Sequence, residues 1–322
     1  MYPLGGGKLK NVHKLTEGAL LLAIFSVLML ITVYVPVLGI VTNLFLAVPF
    51  ILFAAKNTRM NSFIFFVASV FLSFIVGTVL AIPFTLSYGV TGLVIGYFIQ
   101  VKKGRMSTFI AATLVFLITL LVQYAAMVVF FKMNLIEELI AIMKESFDSS
   151  RKLLDATGQT IDGKVIEQFE AVPKMVESLT PSLFVLTSIF AVFLIEVVSF
   201  PIVKRFGIMV DQRRPFRELV LPKSILWYYL LTILATFVFN PVEGDYWYLA
   251  LVNISFIFQL CMVIQGLSFI YYICHLKGVS KTIPIIATVS IFLLPILLSI
   301  VRILGIIDLG FGLRKSLENR NG

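Results

Sequence analysis

Long apolar runs separated by short polar breaks dominate this chain. Stretches long enough to span a bilayer fall at about 15–35, 38–55, 61–82, 84–101, 107–131, 181–203, 223–240, 247–275 and 282–304. A crossing helix needs about 17–25 largely apolar residues. The pattern therefore predicts an all-α, polytopic membrane protein with about nine transmembrane helices. The second, fourth and seventh runs are at the short end. They read as buried or little-tilted helices, and a partly re-entrant path is open to each.

One stretch has a different rhythm. Between the fifth and sixth runs, residues 132–180 repeat apolar positions at helical spacing: Ile136, Ile140, Met143, Phe147 and Leu154, then Ile166, Phe169, Val172 and Val176. The segment DATGQTIDGK separates the two patterns with turn chemistry, and Pro173 predicts a kink in the second. This is an extracytoplasmic insertion of two amphipathic helices, either a cap over helix ends or a lid over a solute entrance. It holds nine acids and six bases, unlike a basic membrane-binding sheet. The chain thus divides into an N-terminal five-span bundle (1–131), the insertion (132–180) and a four-span C-terminal part with a short tail (181–322), and no internal repeat is evident.

Composition agrees with the pattern. The chain is 59% hydrophobic and 13% charged, with mean hydropathy +1.01, whereas soluble domains carry about 25% charged residues. The net charge of +9 is distributed unevenly. The N-terminus (Lys8, Lys10, Lys14) and every second loop are basic: Lys56 and Arg59; Lys102, Lys103 and Arg105; the segment from Lys204 to Lys223; Lys277 and Lys281. The alternate loops are neutral or acidic, as with Glu243 and Asp245. By the positive-inside rule the N-terminus lies on the cytoplasmic side of the membrane. One end disobeys, because nine crossings would put Arg314, Lys315 and Arg320 outside. Either the last run does not fully cross, or a late tail escapes the rule.

The basic inner face, with Lys204, Arg205, Arg213, Arg214 and Arg217 at its centre, suits anionic headgroups at roughly 1 kcal/mol per basic residue or a protein partner. Nucleic acid is a poor fit, since no folded soluble domain presents the charge. The motifs of metal, nucleophilic or nucleotide chemistry are missing, and GGGKLK lacks P-loop spacing and a preceding strand. The expectation is no enzyme, no cofactor and no metal. Cys261 and Cys274 sit in one predicted helix, roughly 20 Å apart, too far to pair with each other.

Ionisable groups within a span are functional suspects. Glu196 is eight residues before Lys204, so about 12 Å above the inner surface. It either contacts a solute or proton or bonds to a neighbouring helix. Asn43, Gln123, Asn253, Gln259 and Gln265 are further polar residues at depth. The last three point about 120° apart and line no single stripe. Each of the five is either an interhelical hydrogen bond or a ligand contact. Gly92 and Gly96 form a GxxxG, which lets another backbone approach. PVLG at 36–39 and Pro83 predict tight outer turns, and Pro49 frees a carbonyl within the second run.

Ala19, Ala23 and Ser26 share one face of the first helix, spaced by four and three residues. Helices in lipid associate through close packing at small residues. This seam is a docking face, for another span of this chain or for a separate membrane subunit. Glu17 reads as an acid at the helix start, facing the positive end of the macrodipole.

LTEGALLLAIFSVLMLITVYVPVLG, LAVPFILFAAKNTRMNSF, the Gly-rich YGVTGLVIGYF and LGIIDLGFGLRK together resemble the YybS-like family of bacterial membrane proteins. The first five or six spans of that family are in turn similar to the substrate-binding S component of energy-coupling-factor transporters. The resemblance implies a helical bundle that captures a vitamin or metal. It implies docking on a membrane coupling subunit through an Ala-x-x-x-Ala face, which Ala19 and Ala23 match. Beyond that fold, this chain adds the outer insertion and further C-terminal spans. The leading expectation is a substrate-capture subunit for a small solute in a bacterial plasma membrane, with Glu196, Asn43 and Gln123 as candidate ligand contacts. The alternative is a non-transporting scaffold or regulator that binds a protein or anionic lipid through its basic loops.

Overall fold

The computed structural model describes residues 6–157, 162–211, 215–280, 282–314 and 317. Its elements are helical: α1 (Gly6–Tyr34), α2 (Pro36–Asn43), α3 (Ala47–Lys56), α4 (Arg59–Phe84), a π-helical turn (Thr85–Gly89), α5 (Val90–Gln100), α6 (Arg105–Phe131), α7 (Leu135–Ala156), α8 (Gly163–Arg205), a 3₁₀ turn (Phe216–Glu218), α9 (Lys223–Phe239), α10 (Tyr246–Leu276), α11 (Thr282–Leu293) and α12 (Pro295–Phe311). The all-α polytopic expectation holds. Among the described residues six helices are long and apolar enough to cross a membrane, or seven if the bent pair α11–α12 is one span. The nine apolar runs are all helical, but they are not nine simple crossings.

One of the six spans is 42 residues, Arg59–Gln100. At 1.5 Å per residue it would be about 63 Å long, twice the hydrocarbon thickness. It does not run straight. Thr78 has φ 59 and ψ −160, and the chain turns back there. Ser73 and Thr85, which a straight helix would hold roughly 18 Å apart, share a hydrogen bond. A Cβ on Gly89 would lie 3.0 Å from the Phe66 ring. Both pairs centre on Thr78, so the two halves form an antiparallel hairpin. A positive φ at a β-branched residue costs on the order of 1–3 kcal/mol.

This corrects the outer turn expected at Pro83, which instead lies inside the returning helix and presents its carbonyl to Gln123 Nε2 at 3.1 Å. PVLG is likewise no turn. Val35 alone breaks the helix (φ −120, ψ 89), and Pro36 starts α2 at a position where proline loses nothing. Pro49 is the third residue of α3, where its missing N–H would have no helical partner. The Phe45 carbonyl it frees accepts from Val48 N at 3.0 Å.

The contacts divide into two compact units: Met1–Glu138 with Phe184–Gln212, and Leu139–Leu183 with Arg213–Gly322. The core of the first is α3, buried along its length from Ala47 to Ala54. Phe50 is its centre, edge-on to Phe25 and Phe65 at 5.1 and 5.4 Å. Leu21, Phe25 and Met29 of α1 and Val192, Ile195, Phe200 and Val203 of α8 complete it. Gly92 and Gly96 bring α5 onto α3. A Cβ at Gly92 would sit 2.8 Å from the Ala47 carbonyl oxygen, and one at Gly96 2.6 Å from that of Ile51.

In the second unit α7 packs on the first part of α8 through stacked Phe147 and Phe169 rings, 3.8 Å apart. A groove of about 310 Å³ beside them is lined by Lys144, Asp148, Arg151 and Glu170, two bases and two acids. The second amphipathic helix is not separate from the sixth span. One helix runs through Pro173 from Gly163 to Arg205, 43 residues, because the apolar period continues without a turn signal. Asn253 joins α10 to α8: its Oδ1 accepts from Ser182 Oγ at 2.7 Å, and its Nδ2 donates to the Ser178 carbonyl at 2.7 Å.

The last run is bent by 116° between α11 and α12. Among the described residues, the side chains of these helices meet α10 between Phe258 and Tyr272: Thr288 with Tyr271, Arg302 with Gln259, Asp308 with Gln265. Gly266 and Gly305 are where α10 and α12 backbones touch, a Cβ on either being excluded by the opposing carbonyl of Val301 or Met262. After α12, Arg314 Nη1 donates to the Arg217 carbonyl at 2.7 Å. Arg217 belongs to the basic segment that also precedes α9. The chain enters α11 and leaves α12 near one end of α10, the path of a re-entrant pair, and on that path the exception that nine crossings imposed on Arg314 disappears. Reporter fusions check this: a C-terminal tag is expected on the same side as a tag inserted at 206–211. Opposite sides would show α11–α12 to be a full crossing.

Candidate functional site

In the first unit, Glu196 is 4% exposed on α8. Lys204 and Arg205 of its own helix are exposed and point elsewhere. Its partner is Arg105, at the start of α6, whose Nε and Nη2 both lie 3.2 Å from Oε2. The guanidinium also covers the Phe200 ring at 4.4 Å and reaches the Asp211 carbonyl at 3.5 Å. Sequence reasoning had Arg105 only as a loop charge. The helix begins at this residue, so its side chain can turn inward. A charge buried this far needs such a partner, because breaking a buried pair leaves one ion desolvated.

Asn43 and Gln123 each reach the π-helical turn Thr85–Gly89, at the neighbouring residues Tyr88 and Ser87. Gln123 Nε2 donates to Ser87 Oγ at 3.0 Å as well as to the Pro83 carbonyl. The Asn43 amide lies against the Tyr88 hydroxyl, and its Oδ1 is buried with no hydrogen bond to it among the described residues. Tyr88 is 8% exposed and packs edge-on against Phe116. Three elements, α2, the π turn and α6, thus gather amide and hydroxyl groups in an apolar bundle. Single π turns widen a helix by one residue and re-aim its side chains, frequently at functional sites. Glu196 is not among these groups; it has its own place with Arg105.

Ala19 and Ala23 are exposed, on the face of α1 away from Leu21, Phe25 and Met29. Ser26 is half-buried and returns its hydroxyl to the Leu22 carbonyl at 2.9 Å. The seam therefore does not pack inside the first unit. Glu17 is not at a helix start, since α1 begins at Gly6; it pairs with Lys56 of α3 at 2.8 Å. Of the basic set, Arg217 is half-buried. Arg213 and Arg214 lie outside the described residues, as do Lys281, Lys315 and Arg320.

The second unit holds a polar network. Asp308 of α12 is 4% exposed, and Oδ2 accepts from Gln265 Nε2 at 2.5 Å and Arg314 Nε at 3.1 Å. Gln265 Oε1 accepts from Leu221 N at 2.9 Å. Ser268 Oγ is within 2.8 Å of the carbonyls of Phe216 and Leu219 and accepts from Arg314 Nη2 at 3.1 Å. Arg314 further lies over Tyr272, 5.2 Å from the ring centre. The effect is to hold the 216–221 strip of the basic segment on α10 through its own backbone.

A family model described as "Predicted membrane protein (DUF2232)" matches residues 23–309. The chain belongs to this family. Within the DUF2232 family it is similar to a protein of Bacillus subtilis (strain 168) titled "Uncharacterized protein YybS", 28% identical over 314 residues, covering 96% of this chain and 100% of the relative. No solved structure matches. The YybS-like resemblance is thereby shown. The match to the DUF2232 model takes in Asn43, Gln123, Glu196 and Asp308, while Ala19 and Arg314 fall outside it.

In this DUF2232 protein the sequence had hidden Asp308 and Arg302, which also lie within apolar stretches. Asp308 could have been found by the rule that singled out Glu196. Its arginine partner, six residues on, could not be assigned by helical spacing, because α12 ends at Phe311 and Gly312 turns the chain with φ 61. Removing Arg314 leaves Asp308 buried and unbalanced. Arg314→Gln is expected to destabilise the protein by about 3–5 kcal/mol, and the double variant Asp308→Asn, Arg314→Gln by less. Melting of the purified variants in detergent checks this; additive losses would show that the pair is not coupled.

Proposed function

We propose that this integral membrane protein is the solute-capture subunit of an uptake system, sited in a bacterial plasma membrane with its N-terminus in the cytoplasm. The observation that carries the reading is the gathering of Asn43, Ser87, Tyr88 and Gln123 at the π-helical turn. In an apolar bundle an unmatched buried acceptor such as Asn43 Oδ1 costs about 1–3 kcal/mol, and a small polar solute that donates to it recovers that energy. Likeness of the N-terminal spans to S components of energy-coupling-factor transporters supports the same role. The exposed Ala19–Ala23 face of α1 then serves a membrane coupling subunit, which supplies the energy for transport.

Gentle purification followed by mass spectrometry of co-purified small molecules tests capture. A bound vitamin, nucleobase or related polar solute is expected, one that raises Tm when added back. Its effect is lost in Asn43→Ala and Gln123→Ala. The absence of any such molecule, together with unchanged melting across a panel of these solutes, would overturn the reading. For the seam, Ala19→Leu with Ala23→Leu is expected to release a co-purifying membrane subunit while the monomer still inserts and melts as before.

One observation favours a second reading, a scaffold or regulator. In the first unit Arg105 holds the Asp211 carbonyl while Lys204 and Arg205 stay exposed, and in the second Ser268 and Arg314 hold the backbone at 216–219. Exposed basic residues beside backbone held in place suit an anionic lipid or a cytoplasmic protein. A protein partner lost on Lys204→Glu, Arg205→Glu, with no solute response, would favour it.

A further inference from the structure

Three embedded or bordering acids each have an arginine or lysine: Glu17 with Lys56, Glu196 with Arg105, Asp308 with Arg314. Arg302 breaks the pattern. It is half-buried near the middle of α12, in the apolar run PILLSIVRILGII. Its Nη1 donates to Gln259 Oε1 at 2.5 Å and its Nη2 to Ser299 Oγ at 3.4 Å, and both partners are neutral. Among the described residues no carboxylate pairs with it. Arginine does not lose its proton in proteins, so the charge persists in an apolar setting. A cation in such a place is costly and marks a ligand path by default.

The guanidinium has five donors, and two are engaged. Gln259 directs its oxygen to Nη1, which fixes the plane of the fork and leaves its own amide donors for a further acceptor. Gly266 and Gly305 bring the α10 and α12 backbones together beside this point, so the two helices present Arg302 and Gln259 as one set. We propose that Arg302, with Gln259 and Ser299, forms an anion-binding site in the second unit that takes a carboxylate or phosphate oxygen pair. The fork is built for two parallel N–H···O bonds to one such group. The anion completes the charge balance that Glu196 and Asp308 obtain from arginine. It comes from a free solute or from a phospholipid headgroup, and the site is independent of the polar turn at Ser87 and Tyr88.

The test uses the full chain purified in a neutral detergent and stripped of exchangeable anions. Tm is measured with sodium phosphate and sodium acetate against sodium chloride at equal ionic strength. In a separate arm, phosphatidylglycerol is compared with phosphatidylcholine. One anion arm is expected to raise Tm by about 4 °C at roughly 100-fold excess over Kd, and the arm that responds identifies the source. Arg302→Gln abolishes the rise and, because it removes an unbalanced charge, melts no lower than wild type without anion. Arg302→Lys keeps part of the rise. If Arg302→Gln does not fold, Gln259→Leu replaces it in the comparison. A wild-type protein that responds to none of these probes beyond chloride overturns the site, as does an Arg302→Gln protein with the same rise. Neither result bears on solute capture at Asn43 and Gln123.

Discussion

A carboxylate taken out of water is costly without an opposite charge, and the pairing of Glu196 and Asp308 with arginines organises the molecule. Glu196 and Asp308 are each 4% exposed, and each is met by an arginine from a distant part of the chain. The desolvation of two such ions is several kcal/mol apiece, recovered only with good geometry and further hydrogen bonds. Both pairs have those bonds. Arg105 adds Phe200 and the Asp211 carbonyl, and Arg314 adds Ser268, the Arg217 carbonyl and Tyr272. Within its own unit each buried pair therefore also holds a stretch of backbone: Asp211 in the first and Arg217 in the second.

Close backbone packing is the second organising force. Lipid gives apolar side chains little reason to prefer one another, so small residues decide where helices meet. Gly92 and Gly96 set α5 on α3, and Gly266 with Gly305 set α12 on α10. Ala19 and Ala23 have the same character but are exposed. That difference separates an internal contact from a face that the first unit leaves uncovered, and the proposed partnered role of the α1 seam rests on it.

Fold class was legible because it rests on composition and run length alone. Nine apolar runs, the helical period of 132–180 and a charge content half that of soluble proteins need no tertiary contact to interpret. The odd position of Arg314 under nine crossings was also visible as a conflict. Its resolution was not, since a run of apolar residues looks alike whether it crosses or turns back. The reversal at Thr78 rather than Pro83 was hidden for a related reason: proline is tolerated within membrane helices, and no side-chain rule marks a threonine forced to positive φ.

The sequence by itself determined that this chain lives in a membrane, where its apolar runs lie, which face of α1 is small, and that Glu196 stands out as an ionisable group within a span. Those follow from local hydropathy and spacing. Only the tertiary structure decided who the partners are: Arg105 for Glu196, Arg314 for Asp308, the π turn for Asn43 and Gln123, neutral Gln259 for Arg302. Each of these contacts joins residues 36 to 91 positions apart or crosses a helix end. Helical periodicity carries information over a few turns, and how one helix is placed against another is set by packing that no local pattern encodes.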